Sequence, residues 1–160
     1  MTEGQAPMPR TSSEQVAKHE VVDSEAAEKI VIRKSDFNWL SSTALSESDG
    51  VQEVALLGPA SKAESIPEGH LGWSHGFSLR ALSLSPGASI PEHRRREEEV
   101  IFMQKGSCRI NVDGESLDLN PGDTFTTPIN ASRIFTNEGG EDCVVYLTRR
   151  GDQPVAPDFI

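Results

Sequence analysis

The sequence lacks long apolar runs, and its cysteines and aromatic residues are scarce. No stretch approaches the roughly 18 apolar residues that a membrane-spanning helix needs, so no transmembrane segment is predicted. The two cysteines, Cys108 and Cys143, are too few for a disulfide scaffold. The N-terminal residues contain no apolar segment of the kind that a secretory signal requires. We therefore predict a cytoplasmic protein that has no membrane partner.

Positive charge is also scarce, because 15 Lys and Arg residues stand against 25 Asp and Glu residues and give a formal net charge of −10. An acidic chain repels nucleic-acid phosphates, so no nucleic-acid partner is predicted. The local exception is the run Arg94–Arg96, which Glu97–Glu99 follows directly. Such a run is either a solvated charged face or part of a site for an anion, and the pattern leaves both interpretations open.

Composition and pattern divide the 160 residues into four parts. These parts are a flexible N-terminal tail, an N-terminal arm with short strands, a barrel and a C-terminal tail, at residues 1–27, 28–72, 73–150 and 151–160 respectively. The arm has apolar segments at Ile30–Ile32 and Val51–Leu57, which we predict to be strands. Because Phe37 and Trp39 are too apolar for a free tail, we expect the arm to pack on the barrel or on a partner chain in a homodimer.

The barrel segment is almost wholly β in character. Short stretches with apolar residues at every second position alternate with turn residues, of which Asp113-Gly114 is a hairpin signal. Strands of this length and spacing predict a sandwich or a barrel.

Two spaced motifs in this segment resemble those of the cupin superfamily. They read Gly87-x5-His93-x-Arg95-x3-Glu99-x6-Gly106 and Gly122-x5-Pro128-x-Asn130-x2-Arg133-x3-Asn137. The resemblance covers about half of the chain. It implies an all-β fold, a cupin-like double-stranded β-helix or jelly-roll barrel with an N-terminal extension, which in this family is often dimeric.

The motifs depart from the family pattern at the metal site. In metal-binding cupins the positions of His93, Arg95, Glu99 and Arg133 are three histidines and one glutamate. A guanidinium stays protonated and has no lone pair for a metal. We therefore predict no metal cofactor, with a divalent metal held by His93, Glu99 and a further ligand such as His75 or Gln104 as the alternative.

Strand periodicity and the resemblance together predict a pocket. Residues 93 and 95 project to the same side of a strand, and Arg94 and Arg96 project to the other. We expect the barrel to enclose His93, Arg95, Glu99 and Arg133. Trp73 and His75 precede the first barrel strand and form either the lip of this pocket or a packed corner.

Three hypotheses about function follow. The alternative to all three is a purely structural ion pair in which Arg95 and Glu99 only neutralise each other. In the first, Arg95 and Arg133 bind a small carboxylate or phosphate, with His75 and Trp73 at the lip, and the protein is a sensor or an accessory subunit of a larger enzyme. In the second, it is a metal-independent isomerase, epimerase or lyase in which His93 is the catalytic base and Glu99 orients it or acts as an acid. In the third, it is a metal-dependent dioxygenase-like enzyme that uses His93 and Glu99.

Overall fold

A computed structural model describes residues 23–29, 31–41, 48–57, 76–150 and 156–160 of the chain. Its elements are a short helix α1 (Ser24–Lys29), a 3-10 turn (Lys34–Asp36) and the strands β1 (Val51–Leu57), β2 (Phe77–Leu84), β3 (Ser89–Arg94), β4 (Glu99–Lys105), β5 (Cys108–Val112), β6 (Glu115–Leu119), β7 (Thr124–Thr127), β8 (Arg133–Thr136), β9 (Cys143–Arg150) and β10 (Asp158–Phe159). None of the helices in these ranges has the length and hydrophobicity needed to cross a membrane.

The strands form two antiparallel sheets of five strands each. Sheet A has the order β1-β2-β9-β4-β7, and sheet B has the order β10-β3-β8-β5-β6. The inner faces of the two sheets enclose one apolar core, to which β2, β4, β5 and β9 contribute alternate residues. The prediction of an all-β jelly-roll barrel is therefore confirmed.

The core fills only one end of the barrel. Its largest members come from the middle of strands in both sheets, and they are Leu82, Leu84, Ile90, Ile101, Met103, Ile110, Phe135 and Leu147. Toward the other end, the inward-facing positions of the same strands carry polar and charged side chains. The barrel is thus divided along its length into an apolar end and a polar end.

Turns hold the strands in this register. Asp113 and Gly114 join β5 to β6 with φ values of 48° and 92°, the left-handed pair that a tight hairpin turn requires. Gly106 between β4 and β5 has a φ of 68°, and a Cβ at this position would lie 2.8 Å from the carbonyl oxygen of Asp142. Only glycine fits there, because both the backbone conformation and the close approach exclude a side chain.

The N-terminal extension lies on the outer face of sheet A. Ile32, Phe37 and Trp39 pack against a small buried cluster formed by the outward-facing residues of β1 and β2. Backbone hydrogen bonds of 2.9 and 2.8 Å join Leu40 to Glu53 as an isolated β-bridge. The residues of the predicted strand that the structure describes, Val31 and Ile32, are not in a strand. They lead into the 3-10 turn, and their packing on the sheet comes from side chains rather than from a backbone ladder.

The C-terminal residues contribute a strand that the sequence pattern does not predict. Asp158 and Phe159 pair with Arg94 and His93 at the edge of sheet B. This pairing covers the backbone edge that β3 would otherwise expose. The predicted flexible tail falls mainly on residues 1–22, which lie outside the described residues, as does the segment that contains Trp73 and His75.

Candidate functional site

The polar end of the barrel begins with one row of four side chains across sheet A. Ser78 pairs with Arg149, Arg149 pairs with Glu99, and Glu99 pairs with Thr127 on the successive strands β2, β9, β4 and β7. Directly paired residues of an antiparallel sheet project to the same face. All four are buried, so the row faces the barrel interior.

Sheet B supplies the opposite wall. His93 on β3 pairs with Arg133 on β8, and both are buried on the inner face. Arg95 follows β3, and its carbonyl oxygen accepts a 2.8 Å hydrogen bond from the backbone N–H of Asn130. Asn130 has a φ of 62°, a conformation that asparagine tolerates better than most residues. The turn before β8 is thereby tied to the segment that carries Arg95.

Glu99 is the centre of the site, because three guanidinium groups converge on its carboxylate. The Nε atoms of Arg149 and Arg95 lie 2.5 and 3.5 Å from Oε2, and the Nε of Arg133 lies 3.6 Å from Oε1. Exposure is 1% for Glu99, 3% for Arg95 and Arg149, and 0% for Arg133. We name these four residues the arginine cluster. The structure therefore brings together all four residues of the predicted pocket, with Arg149 in addition.

Electrostatics keep the Glu99 carboxylate charged. Burial by itself would raise the pKa of Glu99, but the positive charges of Arg149, Arg95 and Arg133 outweigh it and hold that pKa below its ordinary value. Such a carboxylate has no proton to donate at neutral pH. The geometry favours a counter-ion role for Glu99 over the role of an acid.

The cluster holds more positive than negative charge. Three guanidinium groups against Glu99 leave +2, and Glu97, a partly buried carboxylate that attracts Arg95 and Arg133, reduces this to +1 when it is counted. Burial and the charge of Arg149 lower the pKa of Arg95 to about 10, which still leaves Arg95 protonated at neutral pH. The site is positive on either count.

Several buried donors around the cluster are unused. In the part of the chain that the structure describes, no hydrogen-bond partner is found for Nε and Nη2 of Arg133, Nη2 of Arg149, Oγ1 of Thr127 or Oγ of Ser78. Nη1 of Arg133 donates a 2.9 Å hydrogen bond to the carbonyl oxygen of Ala131. Buried polar atoms in folded proteins are nearly always paired with protein, water or ligand. These open donors can therefore donate hydrogen bonds to water or to a bound molecule.

His93 is neutral and oriented. Its Nδ1 lies 2.9 Å from the carbonyl oxygen of Pro91, and since a carbonyl can only accept, Nδ1 carries the hydrogen and Nε2 keeps the lone pair. The ring contacts Phe135 and Phe159, with centroid distances of 6.4 and 5.8 Å. Burial, reinforced by the charges of Arg95 and Arg133, lowers the pKa of His93 to about 4.

The donors that the structure describes at this site do not fit a divalent metal, and His75, one of the further ligands considered, lies outside the described residues. Of the four family positions, only His93 and Glu99 could act as ligands, and the Glu99 oxygens already face three guanidinium groups. Gln104 lies on the exposed outer face of β4, so it is no additional ligand. Among the described residues, no group of three or more His, Cys, Asp and Glu side chains is arranged to hold a metal ion.

Sequence reasoning missed Arg149, Ser78 and Thr127. For Arg149 a signal existed, since Cys143, Val145 and Leu147 occupy the same parity on β9 and are buried. Because successive side chains of a strand point to opposite faces, this pattern predicts that Arg149 points inward and Arg150 outward. Its pairing with Glu99 could not have been read this way, because the register between β9 and β4 is a tertiary property.

Comparison with known proteins supports the fold. Residues 81–148 match the family model of the Cupin domain. A protein from Streptomyces cyaneus, "Polyketide synthase CurC", is 30% identical over 90 residues, which are 54% of each chain, so the match spans about half the length of that relative.

Solved structures of low sequence identity share the fold. The polyketide cyclase RemF from Streptomyces resistomycificus superposes with a TM-score of 0.64 at 15% identity, over 81% of this chain and 84% of that one. A predicted oxalate decarboxylase from Thermotoga maritima superposes with a TM-score of 0.61 at 18% identity, over 76% and 99% of the two chains.

Proposed function

Because this chain is a cupin-domain protein whose barrel encloses more arginine than carboxylate, we propose that it binds a small anionic ligand, a carboxylate or a phosphate, at Arg95, Arg133 and Arg149. In this role it acts as a sensor or as an accessory subunit of a larger enzyme. The observation that carries the proposal is the convergence of three buried guanidinium groups on the single carboxylate of Glu99.

The physical reason is the electrostatics of the arginine cluster. Two like charges about 6 Å apart at an effective dielectric constant of about 20 repel each other by roughly 3 kcal/mol. Three buried guanidinium groups contain three such pairs, and their attraction to Glu99 offsets this repulsion but leaves a net positive charge on the cluster. An anion would neutralise that charge and take up the open donors of Arg133 and Arg149. Guanidinium groups pair with carboxylate and phosphate through two parallel hydrogen bonds, which suits both ligand classes.

The test is thermal unfolding in a series of carboxylates and phosphates at fixed pH and ionic strength. We expect at least one anion to raise the unfolding temperature of the natural protein, since a ligand at 100 times its Kd adds about 2.7 kcal/mol of stability. Arg133→Met should abolish that increase. Arg150→Met is the matched control, because Arg150 is the exposed neighbour of Arg149 on the outer face of β9. The proposal fails if no anion stabilises the protein, or if Arg133→Met responds like the Arg150→Met control.

A second candidate is a metal-independent enzyme that removes a proton next to a carbonyl group. The observation that favours it is the neutral His93, whose Nε2 lone pair lies at the polar end of the barrel beside arginines. Nε2 would take the proton, the electron pair would move onto the carbonyl oxygen, and guanidinium N–H groups would stabilise the enolate. The enolate would then regain a proton at another carbon or attack a second carbonyl group.

The pKa of about 4 limits the substrates of such an enzyme. A weak base needs an acidic C–H, such as the carbon between two carbonyl groups. The similarity to a protein described as a polyketide synthase is the comparison that prompts a substrate of that kind. We would follow deuterium exchange at the central carbon of acetoacetate by NMR, and expect acceleration by the natural protein and by Arg150→Met but not by His93→Asn. Exchange no faster than in buffer alone would rule out this second candidate for that substrate.

A further inference from the structure

The hydroxyl of Thr127 contributes no hydrogen bond to the part of the fold that the structure describes. Thr127 is fully buried, it lies beside Glu99 in the row across sheet A, and its Oγ1 has no hydrogen-bond partner in the described part of the chain. Valine has the same shape without the hydroxyl, so it would fill this position without leaving an open polar atom. The other inward-facing residue of β7, Phe125, is apolar as the core requires.

Thr127 makes no hydrogen bond to its neighbour Glu99 in the described structure. The carboxylate of Glu99 is directed at the arginines instead, with Oε2 beside Arg149 and Arg95 and Oε1 facing Arg133. The same row carries a second open hydroxyl, that of Ser78, on the far side of Arg149. The arginine cluster is therefore flanked along sheet A by two buried hydroxyl groups, both without a partner in the described residues.

From this arrangement we infer that the ligand is not a plain acid but an acid with an oxygen substituent, a hydroxyl or a carbonyl group, that hydrogen-bonds to Thr127. The inference rests on the proposed anion site. A hydroxyl both donates and accepts, so Thr127 suits either substituent. Neighbouring strands lie about 4.8 Å apart, which puts Thr127 one strand from Glu99 and two from Arg149. The oxygen substituent would accordingly lie within a few bonds of the acid group.

The experiment measures the affinity of matched pairs of acids by calorimetry. Malate is compared with succinate, and glycerol 3-phosphate with propyl phosphate, so that the pairs also distinguish a carboxylate from a phosphate. We expect the oxygen-substituted member of at least one pair to bind about fivefold or more tightly, the effect of one neutral hydrogen bond. In Thr127→Val this preference should fall to near unity. Thr126→Val is the matched control, because Thr126 is exposed on the outer face of the same strand, and it should keep the preference.

A stability measurement separates binding from a structural role. Without ligand, Thr127→Val should unfold at the same temperature as the natural protein or higher, because it removes an open buried hydroxyl; a hydroxyl that the fold needs would give a lower temperature. If acids bind but both members of each pair bind equally, or if the preference survives Thr127→Val, this inference is wrong and the anion site stands. If none of the four acids binds, the proposed anion site fails and this inference fails with it.

Discussion

Acid should destabilise the protein through His93 before the acidic residues titrate. The pKa of His93 is lowered from 6.5 to about 4, chiefly because the ring is buried. Between these pH values the unfolded chain takes up a proton that the folded chain does not, so the free energy of unfolding falls as the pH falls. A pKa lowered from 6.5 to about 4 corresponds to about 3 kcal/mol in the free energy of unfolding. This contribution is fully present above pH 6.5 and is lost by about pH 4.

The contribution of Glu99 has the same sign but begins lower. Its pKa in the folded protein lies below the ordinary 4.5, so it stabilises the fold above pH 4.5 and this contribution is lost as the pH falls further. The interval from pH 6.5 to 4.5 therefore reports mainly on the histidine.

The assay is urea unfolding at pH 7, 5.5 and 4.5 for the natural protein and for His93→Asn. Asparagine keeps an amide donor near the carbonyl oxygen of Pro91, but it cannot titrate. The variant should be less stable at every pH because it loses the ring contacts, and its stability should change less over this interval. An NMR titration of the His93 ring should give a pKa near 4 directly. Equal pH dependence in both proteins, or a ring pKa near 6.5, would refute the reasoning.

Three other substitutions test the fold that holds the site. Arg80→Met should cost about 3–5 kcal/mol, because it breaks a buried ion pair by removing the cation that faces the Glu53 carboxylate; chemical denaturation measures this, and a cost near zero would contradict it. Gly106→Ala should lower the unfolding temperature much more than Gly87→Ala, since both have positive φ but only the former would place its Cβ against the backbone. Asn137→Ala should cost about 2–3 kcal/mol, because this buried amide makes three hydrogen bonds of 2.8 to 2.9 Å to backbone groups, and a normal unfolding midpoint would show those bonds to be dispensable.

Local chemistry and the resemblance to the cupin motifs together predicted the fold, His93 and three of the four residues of the arginine cluster. Alternation with a period of two assigns His93 and Arg95 to the same face of a strand, whatever that strand later packs against. The spacing of the two motifs, through its resemblance to the cupin superfamily, placed Glu99 and Arg133 in the same barrel. The chemistry of the guanidinium group argued against a metal there.

Two contacts of the site could not be predicted from the sequence, because one depends on strand register and the other on the position of the C-terminal residues. The contact between Arg149 and Glu99, which are 50 positions apart in the chain, follows from the pairing of β9 with β4. The contact of the Phe159 ring with the His93 ring depends on β10 adding to the edge of sheet B, and the sequence pattern does not predict this two-residue strand. A strand pattern determines which side of a sheet each residue faces. Which residues from distant strands share one row is decided only when all strands are packed together, and here that row places a third arginine and two hydroxyl groups around one carboxylate.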